Sequence, residues 1–142
     1  MLRNIPQIIS PELMYTLMEM GYSDQIILAD ANFPAKTYAK KLIRCDGTEI
    51  LDLLEAILKF MPLDSFVQYP VKLMEHLDTD PTPEIWKKYD TLIRKYDKEK
   101  TFDGFERIER LDFYEKARNA TAIVTTCTTA RYANIVLQKG VL

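Results

Sequence analysis

Apolar residues along this chain alternate between stripes at helical spacing and short unbroken runs, a pattern that predicts an α/β fold. The first stripe is Leu13, Met14, Leu17 and Met18. Ser10 stands ahead of it as an N-cap, Pro11 takes the first helical position, where no N–H is needed, and Gly21 stops it. Gln25-Ile26-Ile27-Leu28-Ala29 is a continuous apolar run and predicts a strand buried on both faces, which Asp30-Ala31-Asn32-Phe33-Pro34 leaves as a loop. Lys41-Leu42-Ile43-Arg44-Cys45 predicts a second short strand. A D-x-x-E cap at Asp46 and Glu49 then opens a helix over residues 48–61, with Ile50, Leu53, Leu54, Ile57, Leu58 and Met61 as its stripe and Pro62 as its stop. Ser65-Phe66-Val67-Gln68-Tyr69 is strand-like, residues 71–77 read as a short helical turn, and Thr82-Pro83-Glu84 starts a helix striped by Ile85, Trp86, Tyr89, Leu92, Ile93 and Tyr96. Partial alternation over 105–110 predicts a strand. Asp112-Phe113-Tyr114-Glu115 caps a helix reaching about Ala120, and the runs 122–126 and 135–137 are the last strands. The expected architecture is a single α/β domain over residues 1–142, with a mostly parallel central sheet flanked by helices.

Composition narrows this picture. The chain has 142 residues, of which 47% are hydrophobic, enough for one self-sufficient core. Its 19 Lys and Arg against 21 Asp and Glu give a net charge of −2, which argues against nucleic acid or an anionic membrane surface as a partner. No apolar run is long enough to span a bilayer, and the N-terminus lacks the long apolar stretch of a signal peptide. Two cysteines, Cys45 and Cys127, are too few for a disulfide scaffold, so a cytoplasmic location with reduced thiols is expected.

Among chemistry-bearing residues, the one histidine, His76, has no second imidazole for a metal site and reads as a surface or interface residue. Trp86 lies in an apolar stripe and reads as packing, and Cys127 has no histidine near it in sequence and reads as structural. Two polar clusters remain. Asp30-Ala31-Asn32 lies at the carboxyl end of a buried strand, where open α/β sheets place their sites, and Arg131-Tyr132-Ala133-Asn134 lies just before the last strand. Together they supply the donors and acceptors that suit a neutral polyhydroxylated ligand.

These clusters, in this order, resemble the L-fucose mutarotase and D-ribose pyranase family. The likeness covers essentially the whole chain and is carried by D-A-N-F-P at 30–34, R-x-D-G at 44–47, F-Y-E at 113–115 and Y-A-N at 132–134. Arg110, where the ribose branch typically carries a histidine, and the F-Y-E segment are similar to the fucose branch. The resemblance implies a ring-shaped homo-oligomer, typically a decamer, with sugar sites near subunit contacts. It implies interconversion of the α and β pyranose anomers of L-fucose by general acid–base catalysis, with no cofactor and no metal. Asp30, Arg110, Tyr132, Ala133 and Asn134 match the family's sugar-binding positions.

Two departures stand out. Where the family has Gly-His-x-Asp after the first helix, with the histidine as proton donor, this chain has Gly21-Tyr22-Ser23-Asp24; Cys127-Thr128 replaces a frequent Gly-Glu. The expected catalytic pair is therefore Tyr22, in the histidine's place, with Tyr132 or Asp30, either member serving as acid or base. A fucose-binding protein that kept the pocket and lost the donor is the alternative, and a D-ribose pyranase is disfavoured by Arg110. The aromatic residues Trp86, Tyr89 and Tyr96 on one helix exceed what a domain this small readily buries alone, which also predicts oligomerisation.

Overall fold

The computed structural model describes all 142 residues. The elements follow as α1 (Pro11–Glu19), β1 (Gln25–Ala29), α2 (Ala35–Tyr38), β2 (Leu42–Arg44), α3 (Ile50–Leu58), β3 (Val71–Met74), α4 (Glu84–Tyr96), β4 (Glu106–Ile108), α5 (Arg110–Asn119), β5 (Ala122–Thr125) and β6 (Ile135–Gln138). The strands form one sheet in the order β2-β5-β1-β6-β3-β4. β1, β2 and β5 pair in parallel, as do β3 and β4; β6 lies between the two groups and runs against both β1 and β3. The sheet is thus mostly parallel, as the sequence predicts, with one antiparallel strand.

Both faces of the sheet are covered, which is why its strands read as unbroken apolar runs. Because successive strand residues face opposite sides, Ile26 and Leu28 of β1 enter one core with α1, α3 and α4, while Ile27 and Ala29 enter a smaller one with α2 and α5. Leu13, Leu53, Leu54, Ile57 and Tyr89 are fully buried in the first core, and Phe113 and Ala117 in the second.

Local chemistry explains where sequence and structure agree or part. Ser10 caps α1 as expected, its Oγ accepting from the Leu13 N–H at 3.1 Å. The Asp46 cap expected for α3 does not form. Asp46 instead accepts from Thr125 Oγ1 at 2.7 Å and Arg44 Nε at 2.8 Å, while the hydroxyl of Thr128, from a distant loop, takes the Ile50 N–H at 2.8 Å and donates to Glu49 Oε2 at 2.5 Å. α5 begins two residues before the expected capping box, because Glu109 Oε2 accepts from the Leu111 N–H at 2.8 Å. The strand expected over 65–69 is a turn in which Asp64 Oδ1 accepts from the Phe66 N–H, and the helical turn expected over 71–77 is β3. Lys72 hides that strand in the sequence: its stem is buried while Nζ reaches Glu106 Oε2 at 2.8 Å and the Tyr69 carbonyl at 2.7 Å. The single-turn α2 is too short to leave a periodic stripe.

Gly140 closes the C-terminal segment against the chain after α3. A Cβ there would stand 2.5 Å from the Leu63 carbonyl oxygen, a backbone atom with no rotamer to yield. Gly140→Ala is therefore expected to lower stability by about 1–3 kcal/mol, read as a reduced urea midpoint at unchanged slope.

Candidate functional site

Sheet topology determines which loops meet. The carboxyl ends of β1, β3 and β4 lie along one edge, and antiparallel β6 starts there. Asp30 after β1, Glu75 and His76 after β3, Glu109 and Arg110 after β4, and residues 131–134 before β6 are therefore gathered at that edge. All of these except Ala133 line a cavity of about 740 Å³, a size suited to a small ligand.

Asp30 and Asn134 form its floor as a reciprocal pair. Asn134 Oδ1 accepts from the Asp30 N–H at 2.8 Å, and Asn134 Nδ2 donates to Asp30 Oδ2 at 2.9 Å. Asp30 Oδ1 accepts from the Asn32 N–H at 2.9 Å. Both side chains are nearly buried, so each fixes the other's rotamer and a lone pair of the carboxylate is left to face the cavity. Burial pushes the Asp30 carboxyl above the ordinary carboxylate range, opposed by the bonds from Asn32, Asn134 and Phe33.

This shift has a stability consequence. The folded chain holds the Asp30 proton to higher pH than the unfolded chain, so as pH rises above about 3.8 the group's contribution declines until the folded carboxyl has ionised too. Asp30→Asn removes the dependence. The melting temperature of the wild type relative to Asp30→Asn is expected to fall from pH 4 upward and then level, which paired thermal melts would check.

Tyr132 forms the opposite wall. Its backbone is left-handed, with φ of 58°, a conformation disfavoured for an aromatic residue. Two side chains of α4 hold it there: Trp86 Nε1 donates to the Tyr132 carbonyl at 2.8 Å, and the Tyr89 hydroxyl donates to the Ala133 carbonyl at 2.6 Å. Burial, with the charge of Asp30 adding to it, raises the Tyr89 phenol far above its usual range, so it stays a donor. The Tyr132 hydroxyl donates to Asp80, and Arg131 Nη2 lies 3.0 Å from the same carboxylate. Arg110, the first residue of α5, lines the cavity with no ion-pair partner, and Phe33, Met74 and Tyr114 supply its apolar lining.

Four of the five expected binding residues, Asp30, Arg110, Tyr132 and Asn134, are thus brought together. Ala133 is fully buried and its carbonyl is committed to Tyr89, so its backbone has only the N–H to offer. Tyr22 does not join them within the chain. It precedes β1, next to Ser23 and Asp24, which hydrogen-bond Lys139 after β6, at the opposite sheet edge, about 16 Å away for a five-residue strand. Half exposed, it packs edge-on against Phe66. His76, read as a surface or interface residue, is in the cavity wall, with its side chain 15% exposed.

Trp86 and Tyr89 were legible as core but not as supports of the site. The usable signal is that a buried indole N–H and phenol hydroxyl, three residues apart on one helix, both require acceptors. They also correct the aromatic argument for oligomerisation, since both are buried within one chain. Cys127 is beside Glu49; burial first and that carboxylate second push its thiol up, in keeping with a structural thiol.

An open α/β sheet with a polar cavity at its strand carboxyl ends defines a small-molecule site of donors and acceptors. The chain belongs to the RbsD / FucU transport protein family, whose model matches residues 3–142. It is 43% identical to the fucose mutarotase of Mus musculus, covering 99% of this chain and 95% of that one. It is 39% identical to the L-fucose mutarotase of Actinobacillus pleuropneumoniae serotype 5b (strain L20), covering 99% and 97%. The crystal structure of the fucose mutarotase of Streptococcus pneumoniae in complex with L-fucose superposes with a TM-score of 0.92 at 48% identity, covering 99% of both chains. Bacillus subtilis RbsD complexed with D-ribose, at 19% identity, 100% and 99% coverage and a TM-score of 0.72, shares the fold. No helix is long and apolar enough to cross a membrane.

Proposed function

We propose that this chain is an L-fucose mutarotase, interconverting the α and β anomers of L-fucopyranose. The observation that carries the reading is the convergence of Asp30, Asn134, Arg110 and Tyr132 on one cavity, in a chain 48% identical over nearly its whole length to a fucose mutarotase seen with L-fucose. Asp30 accepts sugar hydroxyls, Asn134 holds that carboxylate, Arg110 donates to hydroxyl oxygens, the Ala133 N–H adds a donor, and Tyr132 faces the reacting end.

Opening the ring removes the proton from the anomeric hydroxyl O1 and delivers one to the ring oxygen O5 as the C1–O5 bond breaks. After rotation about C1–C2 the two transfers reverse and the bond reforms on the other face of the aldehyde. Two proton-exchanging groups within hydrogen-bond reach of O1 and O5 suffice, with no redox change, and such help contributes about 10²–10⁴-fold. Tyr132 is one of them.

Tyr22 is a second phenol of the site, contributed to the cavity of a neighbouring copy in a ring-shaped, decameric, cytoplasmic assembly. Its distance from its own cavity requires a second subunit, and its surroundings suit one: Tyr15, Met18, Tyr22 and Phe66 are large side chains exposed at or near the amino edge of β1. If each site combines Tyr22 of one copy with Asp30 of another, Tyr22→Phe and Asp30→Asn assemblies are each slow alone and regain activity when dissociated and reassembled together. Unaltered activity of Tyr22→Phe alone would make Tyr22 a packing residue.

Polarimetry tests the substrate. Freshly dissolved α-L-fucose should reach its equilibrium rotation faster with protein than in buffer, D-galactose should be accelerated less, and D-ribose least. Acceleration of D-ribose alone would move the chain to the pyranase activity.

A further inference from the structure

The geometry points to His76 as the general base of the reaction: its Nε2 takes the proton of the anomeric hydroxyl on ring opening and returns it on closure. The inference rests on the mutarotase reading and deepens it. The imidazole that the Gly21-Tyr22-Ser23-Asp24 segment lacks is present on a different element, in the wall of the same cavity.

Four observations carry it. His76 is the chain's one histidine, and it follows β3 at the sheet edge where Asp30, Arg110 and Tyr132 converge. Its ring is fixed rather than free: it packs on Trp86 with centroids 5.4 Å apart and meets Tyr132 edge-on at 6.1 Å. Its Nδ1 lies 2.8 Å from the Leu77 carbonyl oxygen, an acceptor only, so Nδ1 carries the proton and the lone pair of the neutral ring is on Nε2. Finally, Trp86 touches both partners, meeting the His76 ring at a tilt and holding the Tyr132 carbonyl, so one indole sets the spacing of imidazole and phenol.

The charged and titratable groups around the ring have partners of their own. Glu75, 3.6 Å from Nε2, is also paired with Arg107 of β4 at 3.3 Å and accepts from the His76 N–H at 3.1 Å. Tyr132 bonds Asp80, and Arg131 pairs with that same carboxylate. Glu109 caps α5 and Arg110 faces the cavity. When Nε2 takes the proton, the imidazolium gains Glu75 as a counter-charge, which stabilises the charged intermediate state.

The proton count balances. Nε2 accepts the O1 proton as the O1 electron pair forms the carbonyl and the C1–O5 pair moves to O5, which takes a proton from a phenol. On closure the phenolate recovers the O5 proton, O5 attacks C1, and the imidazolium returns its proton to O1. The division suits the groups, because a phenol gives a proton to an oxygen that is becoming basic, while the lone pair on Nε2 of a neutral imidazole accepts one.

The test is the pH profile of anomeric exchange, measured by magnetisation transfer between the anomeric protons of L-fucose, for wild type, His76→Gln and His76→Asn. His76→Asn keeps a donor near the Leu77 carbonyl and lacks Nε2, so it guards against loss of the local fold, which thermal melts would also monitor. Wild-type exchange should depend on pH. Both variants should lose that dependence and fall by about 10²-fold at pH 7.5, with L-fucose affinity changed less than about threefold. Either variant keeping the wild-type rate and profile overturns the role of His76 and leaves the mutarotase reading standing. A wild type that binds L-fucose without accelerating exchange overturns both.

Discussion

Tyr132→Phe should slow anomeric exchange of L-fucose by about 10²-fold or more while weakening sugar binding by less than about tenfold. The substitution deletes one oxygen and keeps the ring that packs against His76. The fold should tolerate it, because Asp80, which accepts from the hydroxyl, keeps the Arg131 guanidinium at 3.0 Å. What is lost is the hydroxyl proposed to exchange a proton with the sugar. Asp30, Asn134 and Arg110 still line the cavity, so binding should largely survive and the loss should appear in the exchange rate at saturating sugar and not in affinity. An equal loss in both would make the hydroxyl a binding contact only.

Trp86→Phe should have the second large effect, through a residue that lines no part of the cavity. The indole N–H is the partner of the Tyr132 carbonyl, and Tyr132 is held at a φ of 58° that its side chain disfavours. Removing the donor leaves a partly buried carbonyl unsatisfied, at a cost of about 1–3 kcal/mol, and frees the segment to relax toward ordinary backbone angles. Exchange is expected to fall about tenfold or more, with a lowered melting temperature, since small displacements of a positioned group cost rate steeply. Tyr89→Phe, which orphans the Ala133 carbonyl, should do the same. Because both donors hold one two-residue segment, the double variant should lose less than the sum of the two, a coupling that a double-mutant cycle measures. Full additivity would mean that α4 does not act as a clamp.

The fold was readable where apolar spacing met no competing demand. Gln25-Ile26-Ile27-Leu28-Ala29 has buried faces on both sides and no charge, so it reads as what it is. Residues 71–74 form an equally buried strand, yet a lysine sits second in it; only the snorkelling of Lys72 to Glu106 reconciles charge with burial, and that partner is 34 residues away. The cap of α3 comes from Thr128, 78 residues from the N–H it satisfies, and no local pattern encodes it. The same distinction governs the site. Asp30 and Asn134 were visible as polar clusters at strand ends, whereas the sheet order that makes them partners is a property of the whole chain. His76 was singled out, but a lone histidine beside a glutamate carries no motif that places it in the site; that place follows from β3 lying next to β6. Tyr22 shows the converse. Its position in a familiar segment suggested a role at the cavity, and the sheet puts it at the far edge of its own chain, so that role needs a neighbouring copy.

The most direct test of the account is equilibrium exchange spectroscopy on L-fucose. The α-anomeric proton is selectively inverted and the transfer to the β-anomeric proton followed, with and without wild-type protein, alongside calorimetric binding of the same sugar. The account predicts transfer well above the buffer rate, proportional to protein concentration and abolished in Asp30→Asn. L-fucose binding with exchange held at the buffer rate would contradict it and leave the chain a fucose-binding protein.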